Sequence, residues 1–468
     1  MKLKDTNPTV LVVGAGPAGL FAAMQLTSVA NVILVDKGKC ISEREHDDPA
    51  DLASGVGGAG LYSDGKLCLD LRAGGYLQKF LNDEQRRELE ESIEALFVEL
   101  MPELKETKGY FTSGEYEKLE ECVLQEKSYR VLNIGTDRGA KLIESLVNKL
   151  KSDGVSILHD TTLTKIEKVS SGFQATLVNL SNEINIKADF VILAMGKVGA
   201  NQQRELCESM GVESASNLMN VGVRLECNSK LLEPLFNKSA DPKIKLELPG
   251  GSYIKTHCAS NNGEVVPVKY GNYMLAGGHQ YYNRRSGRSG FSLVWNGIRS
   301  RFDVDQKTGG VESLLEPFSE SCGDKLAVQL VSNFLAREKS SEDAIAKVPL
   351  SCKKVKASNL WELLPGNVCA PIVNMLEELN KLTPAIKHRE TVLYAPVVEW
   401  WMSTIKANAS TMETSVANLY VIGDGSGWSQ GIVHSAATGI LAGNAIREAS
   451  ENSKSTEENK HVSWVSHF

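Results

Sequence analysis

Three glycines and one carboxylate near the start of the chain have the types and spacing that hold phosphate and ribose. VLVVGAGPAGLFAAMQL from residue 10 runs into NVILVD, which ends at Asp36. Gly14 permits a tight turn, Gly16 lets backbone approach a pyrophosphate, and Gly19 lets the following helix sit close on the strand. The phosphates would rest on the helix N-terminus, and Asp36 would accept from ribose hydroxyls. Gly14, Gly16, Pro17, Ala18, Gly19, Asp36 and Lys37 are therefore the expected contacts of this unit. The order apolar strand, glycine turn, small-residue helix, second strand predicts a Rossmann-type βαβ unit.

A second motif lies at 418–444, NLYVIGDGSGWSQGIVHSAATGILAGN. A carboxylate at a strand end, Asp424 after Gly423, suits a ribityl hydroxyl. The helix after Gly431 and Ile432 would aim its amides at a flavin pyrimidine and stabilise negative charge there. Taken with the first motif, this predicts the two halves of one site for non-covalent FAD. Between them, ISEREHDDPADLASGVGGAGLYSDGKL supplies Arg44, Gly57, Gly58, Ala59, Gly60, Ser63 and Lys66. Its backbone would approach the isoalloxazine, and Lys66 reads either as a charge near the ring or as a surface lysine. Thr162 would meet adenine, and Ala194 and Gly196 end a strand with another close backbone approach.

Strands must position these turns. Alternating strands and helices predict an α/β fold with a parallel sheet. Residues 76–130 read as a helical insertion, followed by a helix Arg138–Lys151 capped by Asp137 and a strand Val155–His159. From about 216 to 384 short strands with glycine turns predict a mainly antiparallel β plus helix substrate domain, with helices near 325–339 and 367–381. Residues 385–451 would close the FAD-binding domain begun by 1–215, leaving 452–468 as a polar, mobile tail.

Composition bounds the function. The 468 residues are 42% hydrophobic and 23% charged, ordinary for a soluble chain of two or three interlocked domains. A net charge of −7 argues against nucleic acid or anionic membrane as the main partner. The nine cysteines show no CxxC or metal-type spacing, so no metal and a reduced, cytoplasmic setting are expected. Gly14, Gly16 and Pro17 break the first apolar stretch, which reads as neither signal peptide nor membrane span. Oligomeric state is not legible.

The chain resembles the bacterial and archaeal family of FAD-dependent dehydrogenases called NAD(FAD)-utilising. The points of similarity are GAGPAGLFAA at 14–23, GGAGLYSDGKL at 57–67, NIGTD at 133–137, GVRLE at 222–226, ELLP at 362–365 and GDGSG at 423–427. The resemblance implies a GR2-like flavoprotein in which a second domain covers the flavin. It also implies that Gly14, Gly16, Gly19, Asp36, Gly58, Lys66, Asp424 and Ile432 contact or flank FAD. Relatives carry a CPGG segment where this chain has Thr256-His257-Cys258-Ala259-Ser260, and a polar stretch where it has Ala395–Trp401.

The expected activity is hydride transfer between a small organic substrate, anionic or aromatic, and flavin N5. A flavin-dependent monooxygenase is the alternative chemistry, and a non-catalytic binding protein on the same fold is the alternative of another class. No second GxGxxG set between an apolar strand and a helix occurs, so NADH or NADPH would bind transiently, or a redox partner would exchange the electrons. Candidate catalytic residues are His434, Lys66, Arg284, Arg288 and Trp400. Arg284 and Arg288 read as a substrate clamp or a solvated face, and His434 as an acid/base or a structural histidine. His257 and Cys258 are adjacent and, as sequence neighbours, are expected to point differently.

Overall fold

The computed structural model describes residues 7–73, 75–106, 116–119, 122–127, 129–215, 219–296, 310–399 and 404–465. Five short apolar strands form a parallel sheet in the order Leu419–Val421, Phe190–Leu193, Thr9–Val13, Asn31–Val35, Ser156–Leu158. Parallel strands are buried on both faces, and the period of two divides each one between two cores. Val10, Val12, Val32 and Leu34 turn toward the helices Pro17–Leu26 and Thr136–Ser152. Leu11, Val13, Ile33 and Val35 turn toward a three-stranded antiparallel sheet through Leu163, Phe173 and Leu177.

A nine-stranded sheet forms the other half. Its order is Val355–Ala357, Leu326–Leu330, Val392–Glu399, Asn220–Asn228, Arg288–Trp295, Tyr253–Ser260, Lys243–Glu247, Gln125–Lys127, Tyr116–Lys118. Every neighbouring pair is antiparallel except Leu326–Leu330 with Val355–Ala357. The helix Gly366–Leu382 buries Val368, Ile372, Met375 and Leu379 with Val223, Leu225, Phe291 and Leu293 of one sheet face. The opposite face is apolar on Leu326–Leu330 and Val392–Glu399, which pack a second core, and polar on Lys243–Glu247 and Tyr253–Ser260.

Several elements differ from the sequence expectation. Val392–Glu399 lies inside the nine-stranded sheet rather than with the closing FAD segment. Its apolar run must be covered twice, Leu393 and Ala395 by one core and Val392, Tyr394 and Val397 by another. Residues 76–130 hold one long helix, Asp83–Leu100, started by a reciprocal cap between Asn82 and Gln85, together with two edge strands of the large sheet. Near 325–339 a strand, Leu326–Leu330, precedes a short helix, Val331–Ala336, because LAVQL is buried in the sheet. The helix expected at Arg138–Lys151 runs Thr136–Ser152 with Gly135 at its cap, and Asp137 instead accepts from the Tyr282 amide at 2.8 Å. The polar segment after Asn452 continues the helix Ile432–Val465. Among the described residues no helix is long and apolar enough to cross a membrane.

Candidate functional site

Chain segments spread from residue 13 to residue 435 line one cavity of about 810 Å³. That is within the roughly 300–1,000 Å³ typical of ligand sites. The first segment is the turn after Thr9–Val13. Gly14 has φ +109°, and a Cβ there would collide with the Ala194 carbonyl, so only glycine closes the turn. Gly16, Pro17 and Ala18 bring the start of the helix to the cavity. Gly19 lies behind the wall, where a Cβ would strike the Gly14 carbonyl.

Asp36 is buried at the end of Asn31–Val35. Its two carboxylate oxygens accept from the Ala15 and Gly38 amides, both at 2.9 Å. Burial raises its pKa against these bonds. It lines the cavity with Lys37, and the carboxylate ties the glycine turn to the second strand.

The second segment, 53–66, folds over the first. Gly58, Ala59, Gly60, Ser63 and Lys66 line the cavity. Gly57 does not: its amide donates to the Ala15 carbonyl at 2.8 Å. Arg44 also lies outside the lining, correcting the expectation of a cofactor contact. Its guanidinium is buried under the loop and donates to the carbonyls of Asp51, Gly55 and Val56, so its donors hold the loop's shape.

Thr162, Ala194 and Gly196 form a third part of the wall, and Gly423, Asp424, Gly431 and Ile432 a fourth. Asp424 accepts from the Ser429 and Ser435 hydroxyls, both at 2.9 Å, and from the Gly431 amide at 3.3 Å. Lys197 Nζ stands 3.9 Å from its other oxygen. The carboxylate thus sets the loop that starts the helix Ile432–Val465 at the cavity.

The remaining wall comes from the polar face of the nine-stranded sheet. Lys243, Lys245, Tyr253, Lys255 and His257 line the cavity, while the intervening Ile244, Leu246 and Ile254 are core. Lys66 Nζ is 2.5 Å from Asp64 and also donates to the Ala259 carbonyl. Burial opposes its charge, but Asp64 and Asp241 raise its pKa above the ordinary lysine value. Asp241 is in turn held below the carboxylate range, against burial, by Lys243 at 2.9 Å and by Lys66. Tyr129 donates to the same carboxylate.

A second charged group centres on Glu399. It accepts from Lys255 at 3.1 Å and Gln430 at 2.7 Å, and His257 Nδ1 lies 3.4 Å away. Burial brings the His257 pKa down to about 3, with Glu399 working against it. His257 and Cys258 both line the cavity despite being neighbours. The strand pairing shifts register there and Cys258 takes φ +48°, a bulge that puts consecutive side chains on one side. They do not pair with each other: Cys258 donates to Asp64 at 3.0 Å.

Three expected catalytic residues are not at this cavity. Arg284 is exposed, paired with Glu264 at 2.7 Å and stacked on Tyr281 beside a separate cleft of about 250 Å³. Arg288 is buried in the sheet, where it donates to Glu226 at 3.1 Å and to the Glu390 carbonyl at 3.0 Å. His434 is buried but faces the 70–75 segment, with Gly75 close to its ring, and burial lowers its pKa. The adjacent Ser435 lines the cavity, and the helical step of about 100° per residue turns His434 away from it. Trp400 lies outside the described residues. A Cys40–Glu43–His159 group is the metal-type cluster among the described residues, and it is exposed and outside the cavity lining.

The donor set fits a flavin dinucleotide. Gly14 and Gly58 present backbone where any side chain would obstruct, Asp36 and Asp424 stand at two ends, and two helices begin at the wall. No family model matches the chain. A protein of Clostridium beijerinckii described as uncharacterised is 24% identical over 473 residues, covering 94% of this chain and 80% of that protein. Similar solved structures include a flavoprotein/dehydrogenase from Cytophaga hutchinsonii, at 13% identity and TM-score 0.45 over 95% of this chain and 78% of that one. Glycine oxidase from Geobacillus kaustophilus matches at 12% identity and TM-score 0.41, with 95% of each chain covered.

Proposed function

We propose that the protein is an FAD-dependent oxidoreductase that exchanges a hydride with a small organic substrate. One observation carries this reading: distant segments built for backbone approach, with carboxylates suited to accept from hydroxyls, converge on one cavity. When bound, FAD supplies the hydride acceptor or donor at flavin N5. The amides at the start of Pro17–Leu26 would hold its pyrophosphate, and Asp36 its ribose. The positive end of Ile432–Val465 would favour negative charge on the ring.

The nine-stranded sheet would cover the ring and present the substrate. His257, kept neutral, can direct its Nδ1–H to Glu399 and so leave Nε2 as a proton acceptor. Lys66 keeps a fixed positive charge at the wall through Asp64. NADH, NADPH or a redox partner would exchange electrons with the flavin, in a protein expected to work in the cytoplasm.

An absorbance spectrum of the purified protein tests the cofactor, and anaerobic titration with NADH and NADPH tests the donor. A yellow protein that releases FAD on mild heat or acid is expected. Colourless protein that takes up no added FAD overturns the reading.

A further inference from the structure

The register of the large sheet sets lysine against lysine. Lys243 stands opposite Lys127, and Lys245 opposite Lys255. All four line the cavity. Like charges directly opposite on one sheet face destabilise a ladder, and here two such pairs occupy neighbouring rungs. The register cannot slip to relieve them, because a shift by one residue would carry the lysines into the core now filled by Ile244, Leu246 and Ile254.

Lys243 meets Asp241 at 2.9 Å and Lys255 meets Glu399 at 3.1 Å, both buried carboxylates. Lys245 meets the exposed Glu247 at 2.9 Å, and Lys127 donates to the Arg72 carbonyl at 3.1 Å. Among the described residues that line the cavity, nine Lys and Arg face five Asp and Glu, in a chain whose net charge is −7. The cavity is therefore opposite in sign to the molecule. The turn and helix start that suit FAD phosphates belong to the parallel sheet, so these lysines are in excess of that need.

We propose that this lysine ladder binds the substrate, and that the substrate is a polyanion, an organic molecule carrying two or more carboxylate or phosphate groups. That the bound anion is then presented to flavin rests on the function proposed above; that the ladder takes a polyanion does not.

The test is titration of the FAD-loaded protein with citrate, with inorganic pyrophosphate and with the neutral trimethyl ester of citrate, read by calorimetry and by the flavin spectrum. Either anion should bind, more weakly as salt rises, and the neutral ester should not. Whichever anion binds tighter separates carboxylate from phosphate recognition. The Lys127→Gln/Lys245→Gln variant should bind that anion at least about tenfold more weakly. It should keep the wild-type FAD dissociation constant and should not lose thermal stability, since a like-charge rung has been removed. Equal anion binding in wild type and variant, or equal binding of ester and citrate, overturns the ladder. Protein that holds no FAD but binds citrate through these lysines overturns the flavoprotein reading and leaves the ladder standing.

Discussion

A Cβ placed on Gly58 would lie 2.7 Å from Gly16 Cα, so the two glycine turns of the cavity meet backbone to backbone. Gly58 also takes φ +57°, where a side chain costs roughly 1–2 kcal/mol. Gly58→Ala must separate the turns or strain the loop. Its FAD dissociation constant, measured by flavin fluorescence, should rise at least about tenfold. A wild-type constant would show that the two turns do not jointly hold the cofactor.

Asp36→Ala and Asp424→Ala should each weaken FAD retention. Each removes a carboxylate that organises backbone amides or hydroxyls at the wall and would accept from cofactor hydroxyls. Hydrogen bonds to charged groups are worth about 1.5–3 kcal/mol, which corresponds to roughly a tenfold to hundredfold loss of affinity. Equilibrium dialysis against FAD measures this, and unchanged affinity in both variants would move the site elsewhere.

Lys66→Met should cost stability, because Asp64 and Asp241 would then share Lys243 as their nearest cation. Breaking a buried pair from one side costs about 3–5 kcal/mol. The double variant Asp64→Asn/Lys66→Met should lose much less than the sum of the two single changes. Urea unfolding of the four proteins measures the cycle; strict additivity would mean the two groups are not coupled.

His279 gives stability a pH dependence. It is 3% exposed, and burial, with His46 beside it, lowers its pKa to about 3. Between pH 6.5 and 3 the unfolded chain carries the proton and the folded one does not, so stability falls as pH drops through that window. The slope from one such group is at most about 1.4 kcal/mol per pH unit. His279→Gln should flatten the stability difference between pH 7 and pH 5. An identical difference in the variant would assign the dependence to other groups.

The turns were legible in the sequence because each is local: Gly14 to Gly19, 57 to 66 and 423 to 432 each carry their own geometric requirement. The covering wall was not. Lys127, Lys243, Lys245 and Lys255 lie on three strands and become neighbours only through pairing, so no window of sequence contains them. Arg284 and Arg288 are close in sequence and read as a clamp or a solvated face, but Arg284 is spent on Glu264 at the surface and Arg288 on Glu226 inside the sheet. Alternation did hold a signal. Lys243-x-Lys245 and Tyr253-x-Lys255-x-His257 both place polar residues at period two against Ile244, Leu246 and Ile254. His257 beside Cys258 was misread because a bulge, invisible in composition, overrides that alternation.

The helix Ile432–Val465 crosses Pro17–Leu26 so closely that a Cβ on Gly439 would strike the Ala18 carbonyl, and Leu419–Val421 supplies the outer neighbour of Phe190–Leu193. A chain emerging from the ribosome therefore carries Phe190–Leu193 with its backbone edge uncovered until residue 421 has been made. It carries the floor of the cavity without its roof support for as long. A cradle for FAD would thereby stay incomplete until residues 423–435 have been made. A chain stopped before residue 419 would have both an adhesive strand edge and a half-built nucleotide cradle.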